Sequence, residues 1–335
     1  MRTTDLDYDL PDSAIAQVPV EPRDSARLLI DTGSDDPLDA TVADLGRFLS
    51  PGDVMVVNRT RVRKARLVLQ RATGARVEVL LLDSDDGEIF GALLGNSRRV
   101  TDGEVLVGQD GEPVVEVLGR GDGTAQVRLI GGEDVLHRHG EVPLPPYITE
   151  RIGDPERYQT VFARDARSSA APTAGLHLTD RLLASLRSAG VAIHEVELVV
   201  GLDTFRPIAV DDPLQHEIHS EWYSVPQSTV DACAAARSAG GRVLAVGTTS
   251  VRALESAAAS GRLQDRTSLY IVPGYQWRTV DLMMTNFHMP RTTLLAMVQA
   301  FVGPSWRGLY ATALERGYRF LSFGDAMLLR RASVR

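Results

Sequence analysis

The chain has 335 residues, of which 44% are hydrophobic and 24% charged, and a formal net charge of −8. That length favours two domains, or one domain carrying an insertion, and that composition excludes a largely disordered chain. The acidic balance argues against a general nucleic-acid binder, whose phosphate contacts require a basic excess.

The first ten residues are polar and acidic, without the basic and then apolar segments of a secretory leader. No apolar run approaches the roughly 18 residues that suggest a membrane span, so a cytoplasmic protein without a membrane partner is expected. The single Cys233 lies in a run of small residues, away from any metal-ligand spacing, and is read as a buried structural thiol.

In chain order, the pattern predicts a helix near 11–17, a strand at 26–30, a helix at 42–49 and a strand at 53–58. The densest basic stretch follows: Arg59, Arg61, Arg63, Lys64 and Arg66. In a strand, Arg59, Arg61 and Arg63 would share a face, either as a phosphate track or as solvated charges paired with nearby acids. From 67 to 144 the texture becomes short strands (76–82, 89–93, 104–107, 114–118 and 125–130) separated by Gly- and Asp-rich turns, which suggests a small antiparallel barrel. Beyond Pro146 the αβ texture returns, with a helix at 180–189, strands at 192–200 and 242–246, and helices at 251–259 and near 306–316. The expected fold class is therefore α/β: a three-layer αβα catalytic domain from 1–64 and 146–335, with an antiparallel β-barrel domain, 65–145, inserted into it.

Four segments carry candidate chemistry. The apolar strand 242–246 runs into Gly247, Thr248, Thr249 and Ser250 and then a helix. Exposed N–H groups, the positive dipole end and three hydroxyls there suit a carboxylate, a phosphate or ribose hydroxyls. The simpler alternative is that Thr249 or Ser250 only caps the helix; neither a Walker loop nor a GxGxxG fingerprint is present. The run His216, Glu217, Ile218, His219, Ser220, Glu221, Trp222 packs four ionisable groups into six residues. As a strand it would align Glu217, His219 and Glu221 for acid–base work or hydrogen bonding to a ribose, or form a charged edge strand. The loop from Ala170 to His177 combines Pro172, Thr173 and Gly175 in a rigid turn before a helix capped by Thr179 or Asp180. Finally, Thr285, Asn286, Phe287, His288 and Met289 precede a helix beginning near Thr292; Phe287 is either a purine contact or core. No HExxH, CxxC pair or Ser-His-Asp order points to a metal or a hydrolase.

In sequence order these segments resemble the S-adenosylmethionine:tRNA ribosyltransferase-isomerases of queuosine biosynthesis. The resemblance runs through DLPDSAIAQVPVEPRDSARL (9–28), NRTRVRKARL (58–67), PLPPY (143–147), ERYQTVFARDARSSAAPTAGLH (156–177) and VGLDTFRP (200–207). It continues in 216–223, VGTTSVRALES (246–256), PGY (273–275), TNFHMPRTTLL (285–295) and FGDAML (323–328). It implies an αβ domain with an inserted barrel. It also implies transfer and isomerisation of the ribosyl group of S-adenosylmethionine onto 7-aminomethyl-7-deazaguanine at the tRNA wobble position. Epoxyqueuosine-tRNA forms, and adenine and methionine leave.

The partners so implied are S-adenosylmethionine, which is the ribosyl-donor substrate, and that tRNA. No other cofactor and no metal are implied, and a monomer is expected. The resemblance makes His219, Glu221, His177 and His288 the candidate acids and bases. Asn58, Thr60, Arg61, Thr173, Gly175, Asp203, Thr204, Phe205, Gly247, Thr248, Thr249, Ser250, Arg252, Asn286 and Phe287 become candidate substrate-binding residues. The chain departs from the family pattern at Arg59 (usually Asp), Leu178 (usually Phe) and Asp203 (usually Gly). Two other readings stay open: a relative using the same sulfonium chemistry on a small-molecule acceptor, which the departures and the acidic charge favour, and a non-catalytic module binding S-adenosylmethionine or tRNA.

Overall fold

The structure is a computed structural model describing residues 1–332 except 35, 83, 85, 86, 97, 98, 122, 123, 151, 202–206 and 219. The chain forms two compact units: Met1–Thr60, Pro145–Asp165 and Ala171–Arg335 in one, and Arg61–Leu144 with Ala166–Ala170 in the other. The first unit opens with β1 (Arg27–Ile30), β2 (Leu38–Thr41) and β3 (Val54–Asn58). The helix expected near 11–17 is only a 3-10 turn at Asp12–Ala14. Pro11 is extended, and Ile15 bridges to Phe320, which draws the chain out before a helix can propagate. The helix expected at 42–49 is likewise a 3-10 helix, Val42–Phe48, started by a capping box between Thr41 and Asp44.

The second unit contains β4 (Arg61–Val62), β5 (Arg66–Gln70), β6 (Arg76–Leu81), β7 (Ile89–Gly95), β8 (Val105–Val107), β9 (Pro113–Arg120) and β10 (Ala125–Leu129). A short helix α1 (Asp134–His139), β11 (Gly140–Glu141) and β12 (Ala166–Ser168) complete it. Strands run in the order β5, β6, β7, β10, β9, β8; β8 returns to β5 at Gln70 opposite Val107, closing an antiparallel barrel, and β11 pairs with the other end of β5. Alternate residues point inward, so Leu67, Leu69, Val77, Val79, Phe90, Val115, Val117 and Val127 fill its core together with Val135 and Leu136 of α1.

The first unit resumes with α2 (Asp180–Ser188), β13 (Ala192–Leu198), β14 (Glu221–Ser224), α3 (Gln227–Ser238), β15 (Val243–Val246) and α4 (Thr248–Ser260). It ends with β16 (Gln264–Thr267), β17 (Leu282–Asn286), α5 (Thr293–Val302), α6 (Trp306–Glu315) and β18 (Ala326–Arg330). Nine strands form one sheet in the order β16, β14, β13, β3, β15, β17, β18, β1, β2. The central four, β13, β3, β15 and β17, are mutually parallel. Strands β3, β15 and β17 are buried at every position, as expected of a sheet covered on both faces. On one face Met55, Val57, Leu244, Val246, Leu282 and Met284 pack against Leu182, Leu183 and Leu186 of α2. The alternate residues, including Val54, Val56, Val243, Ala245 and Met283, are equally buried, and α3 and α4 lie against β3, β13 and β15. The unit is a three-layer αβα fold.

Candidate active site

The site lies where β15 and β17, paired in parallel, reach their C-terminal ends, the usual ligand position in an open α/β sheet. Gly247 donates its N–H to the Met284 carbonyl at 2.7 Å and turns the chain into α4 with φ 86° and ψ 150°. Only glycine adopts that backbone readily. No side chain caps the helix, so its first N–H groups face the space beyond the strand. Two of the three hydroxyls behave differently. Ser250 Oγ donates to the Val246 carbonyl at 2.7 Å and is spent on its own helix. Thr249 Oγ1, by contrast, is buried without any hydrogen-bond partner. Farther along α4, the fully buried Glu255 accepts N–H groups from Arg278, Thr279 and Val280 at 2.9–3.0 Å, which locks the helix to the segment before β17.

An open cleft of about 590 Å³ lies over these ends, lined by Thr173, Gly247, Thr248, Thr249, Thr285, Asn286, His288, Tyr147 and Ser322 among others. In its wall Asn286 is the hub: Oδ1 accepts from Thr173 Oγ1 at 2.9 Å, and Nδ2 reaches the Asp325 carbonyl at 3.3 Å and His177 Nε2 at 3.0 Å. Since a carbonyl and a hydroxyl fix which end of the amide is which, Nε2 of His177 must accept, and the ring proton sits on Nδ1. Burial pushes His177 down to about 4, assisted by the positive charges of Arg319, Arg157 and Arg23. Burial alone pushes His288 down to about 3; its ring Nε2 lies 2.9 Å from Thr285 Oγ1, and its backbone N–H donates to Tyr310 OH. Both imidazoles are neutral at neutral pH.

A second cleft, of about 920 Å³, shares Leu294 with the first and is lined by Gly201, His216, Glu217, Glu221, Arg252, Tyr270 and Met297 among others. Its floor is the buried ion pair between Glu221 and Arg252. Glu221 also accepts the Gly201 N–H at 2.9 Å, and Arg252 Nη2 reaches the Thr267 carbonyl at 3.4 Å, whereas Arg252 Nε is buried without a hydrogen-bond partner. Helix α4 thus contributes Thr249 to one cleft and Arg252, one turn on, to the other.

The remaining expected residues separate by geometry. Asn58 is tied to the backbone: its amide holds the Leu198 carbonyl and N–H and the Thr60 N–H at 3.0–3.1 Å, stitching β3 to β13. Thr60 is fully buried. Gly175 is required by packing, because a Cβ there would come within 2.9 Å of Phe162 Cζ. Phe287 lines the first cleft, but its ring is fully buried, stacked on Phe320 at 4.5 Å with T-shaped contacts to Tyr310 and Tyr318. The expected run of arginines on one strand face does not form, because β3 stops at Asn58. Arg59 pairs with Asp165 and Glu197, each at 3.4 Å, while Arg61 belongs to β4 of the second unit. The strand expected at 216–222 begins only at Glu221. His219, Asp203, Thr204 and Phe205 lie outside the described residues. Tyr147, Ser322 and Leu321 line the first cleft without having been singled out; Leu321 adopts φ 69°, a strained value for a leucine at a cleft wall.

Among the described residues one trio, Asp110, Glu112 and His139 of the second unit, brings potential metal-ligating atoms within 4.8 Å of one another. Arg138 already holds both Glu112 oxygens, at 2.6 and 3.3 Å, so the trio reads as an ion-paired cluster.

An αβα sheet with two adjoining clefts at the ends of its parallel strands defines an enzyme-like ligand site. The family described as "Queuosine biosynthesis protein" matches residues 3–329, and the chain belongs to that family. Relatives named S-adenosylmethionine:tRNA ribosyltransferase-isomerase include those of Symbiobacterium thermophilum, 46% identical over 98% of this chain and 100% of the relative, and Rubrobacter xylanophilus, 47% identical over 98% of each. A solved structure, the S-adenosylmethionine tRNA ribosyltransferase of Thermotoga maritima, is 33% identical with a TM-score of 0.55 and covers 97% of this chain and 99% of that one.

Proposed function

We propose that the chain is an S-adenosylmethionine-dependent ribosyltransferase-isomerase. It transfers and isomerises the ribosyl group onto 7-aminomethyl-7-deazaguanine at the tRNA wobble position, yields epoxyqueuosine-tRNA, and releases adenine and methionine. The observation that carries the assignment of substrate to site is the pair of adjoining clefts bridged by α4. The methionine end of S-adenosylmethionine carries one carboxylate and one ammonium. The Glu221–Arg252 pair presents the complementary two charges in the second cleft. Burial keeps those charges poorly solvated, so a zwitterion that engages both meets a preorganised partner. The nucleoside then extends to the first cleft, where Thr249 Oγ1, the first N–H groups of α4, Thr173 and Asn286 supply donors and acceptors for a ribose.

Three chemical tasks follow. A base removes the acidic proton beside the sulfonium, and the candidates are Glu221, which lines the second cleft, and His219, which lies outside the described residues. Adenine departure draws on the neutral imidazoles of His288 and His177, which serve through hydrogen bonds instead of as cations. Exclusion of water falls to the apolar walls, including Val200, Leu294 and Met289. S-adenosylmethionine is the ribosyl donor.

We place the enzyme in the cytoplasm as a monomer, with 1–64 and 146–335 as its catalytic domain and 65–145 as the inserted barrel. Among the described residues no helix is long and apolar enough to cross a membrane. The test is adenine and methionine release from S-adenosylmethionine, with and without tRNA bearing 7-aminomethyl-7-deazaguanine. Release that depends on this tRNA, with mass added at the wobble base, is the expected result. Tight S-adenosylmethionine binding without turnover would redirect the search to small acceptors.

A further inference from the structure

A third, smaller cleft lies beside the first and shares Ser322 with it; its other lining residues are Pro19, Val20, Arg23, Arg157, Leu176, His177 and Phe323. Two guanidiniums, an imidazole and a hydroxyl face it, and no carboxylate lines it. Arg23 spends two of its five N–H donors on the Gln159 and Glu156 carbonyls, at 2.6 and 3.0 Å. Arg157 donates to the Val20 carbonyl at 2.8 Å and pairs with Glu21, whose side chain is 64% exposed. Arg319 adds a third positive charge acting on His177. Its Nη2 is buried without a hydrogen-bond partner, and its carboxylate neighbour, Asp325, is 4.0 Å away and already accepts the Arg27 and Arg319 N–H groups. The acids near Arg23, namely Glu21, Asp154 and Glu156, are solvent-exposed. The two partly buried guanidiniums share the cleft with a neutral imidazole and a hydroxyl, so an anion entering it would meet positive charge with no carboxylate competing at the wall.

We propose that Arg23 and Arg157, reinforced by the charge of Arg319, form an anion subsite that takes a backbone phosphodiester of the acceptor RNA. The inference rests on the RNA acceptor proposed above. Position supports it: Ser322 belongs to both clefts, and the His177–Asn286 hydrogen bond separates the arginines from the wall of the reaction cleft by a single pair of side chains. A nucleotide whose base enters the first cleft would leave a neighbouring phosphate within reach. Planar guanidinium forks suit phosphate oxygens, and several separate forks suit a group with more acceptors than one carboxylate offers. Arg23 and Arg157 also fall in two segments that carry the family resemblance, 9–28 and 156–177.

The test is the salt dependence of binding to tRNA bearing 7-aminomethyl-7-deazaguanine, read by fluorescence anisotropy for the wild type, R157Q and R319Q. S-adenosylmethionine affinity and thermal unfolding are measured alongside. The expected result for R157Q is about tenfold weaker tRNA binding and a salt slope shallower by about 0.7–0.9, the effect of one lost phosphate contact. S-adenosylmethionine affinity stays unchanged, and R157K restores part of the slope. Independently of any variant, wild-type protein should show the same slope loss with an anticodon stem-loop carrying one methylphosphonate beside the wobble nucleotide. An unchanged slope in folded variants and with every methylphosphonate position overturns the subsite. Loss of S-adenosylmethionine affinity with unchanged tRNA binding also overturns it, by assigning the arginines to the methionine carboxylate. Wild-type adenine release indifferent to tRNA overturns the functional reading itself, and the subsite's ligand with it; the two failures are thereby told apart.

Discussion

Thr249 shows how much can rest on one atom. Its hydroxyl is buried and makes no hydrogen bond within the protein, and an unsatisfied buried polar group costs about 1–3 kcal/mol. The isosteric T249V change is therefore expected to leave thermal stability unchanged or raise it, while weakening S-adenosylmethionine binding about tenfold in calorimetry. Lower stability with unchanged affinity would remove the hydroxyl from the ligand site. The ion pair in the other cleft should behave in the opposite way. E221Q leaves Arg252 buried and uncompensated, for which about 3–5 kcal/mol of destabilisation is expected. Pairing it with R252M should recover most of that loss in urea unfolding, without recovering turnover.

The buried imidazoles fix the sign of a pH effect. Their folded-state values, about 4 for His177 and about 3 for His288, lie below the ordinary 6.5. Above pH 6.5 both states hold neutral rings and stability is unaffected. As pH falls below 6.5, the unfolded chain takes up protons that the fold refuses. Stability then drops by up to about 1.4 kcal/mol per pH unit for each ring, until the folded rings titrate near pH 4 and pH 3. Urea unfolding at pH 7 and pH 5 measures this, and H177N should flatten the decline.

At the scale of elements, α4 is the part that brings the two clefts together, and its entry depends on Gly247. An added Cβ would meet nothing closer than 3.5 Å, so G247A tests backbone strain alone. About 1–3 kcal/mol of destabilisation is expected for that backbone region, together with loss of S-adenosylmethionine binding; wild-type melting would show that the turn relaxes. This element was legible in sequence because an apolar strand, a glycine, hydroxyl residues and a helix occur in a row. Others were not. The run of small residues around Cys233 carries no predicted element, although alanine is the best helix former, and it folds within α3. The alternation in 216–222 suggested a longer strand, but charged residues at a two-residue period do not say where pairing begins; β14 starts only where β13 and β16 flank it. Nor does sequence disclose that Asn286 reaches His177 across 109 residues, or that Asn58 is consumed by the backbone of β13.

For the whole molecule, the change of texture between 67 and 144 was the most legible feature, because short alternating strands and turn residues depend only on local sequence. The barrel's buried cluster draws every member from 65–136. Residues 61–144 produced alone are therefore expected to give a β-type circular dichroism spectrum and one cooperative melting transition. A non-cooperative melt would mean that Ala166–Ala170, which belong to the same unit, are indispensable to it.

The place of β18 between β17 and β1 bears on biosynthesis. Strand β1 obtains its parallel neighbour only from Ala326–Leu328, and Arg27 its Asp325 contact from 298 residues downstream. On a translating ribosome the first hairpin must therefore wait, unable to join its sheet, while the barrel has every strand it needs to close. Completion of the nine-stranded sheet awaits synthesis of β18, and removing that strand would divide the sheet in two instead of trimming an edge.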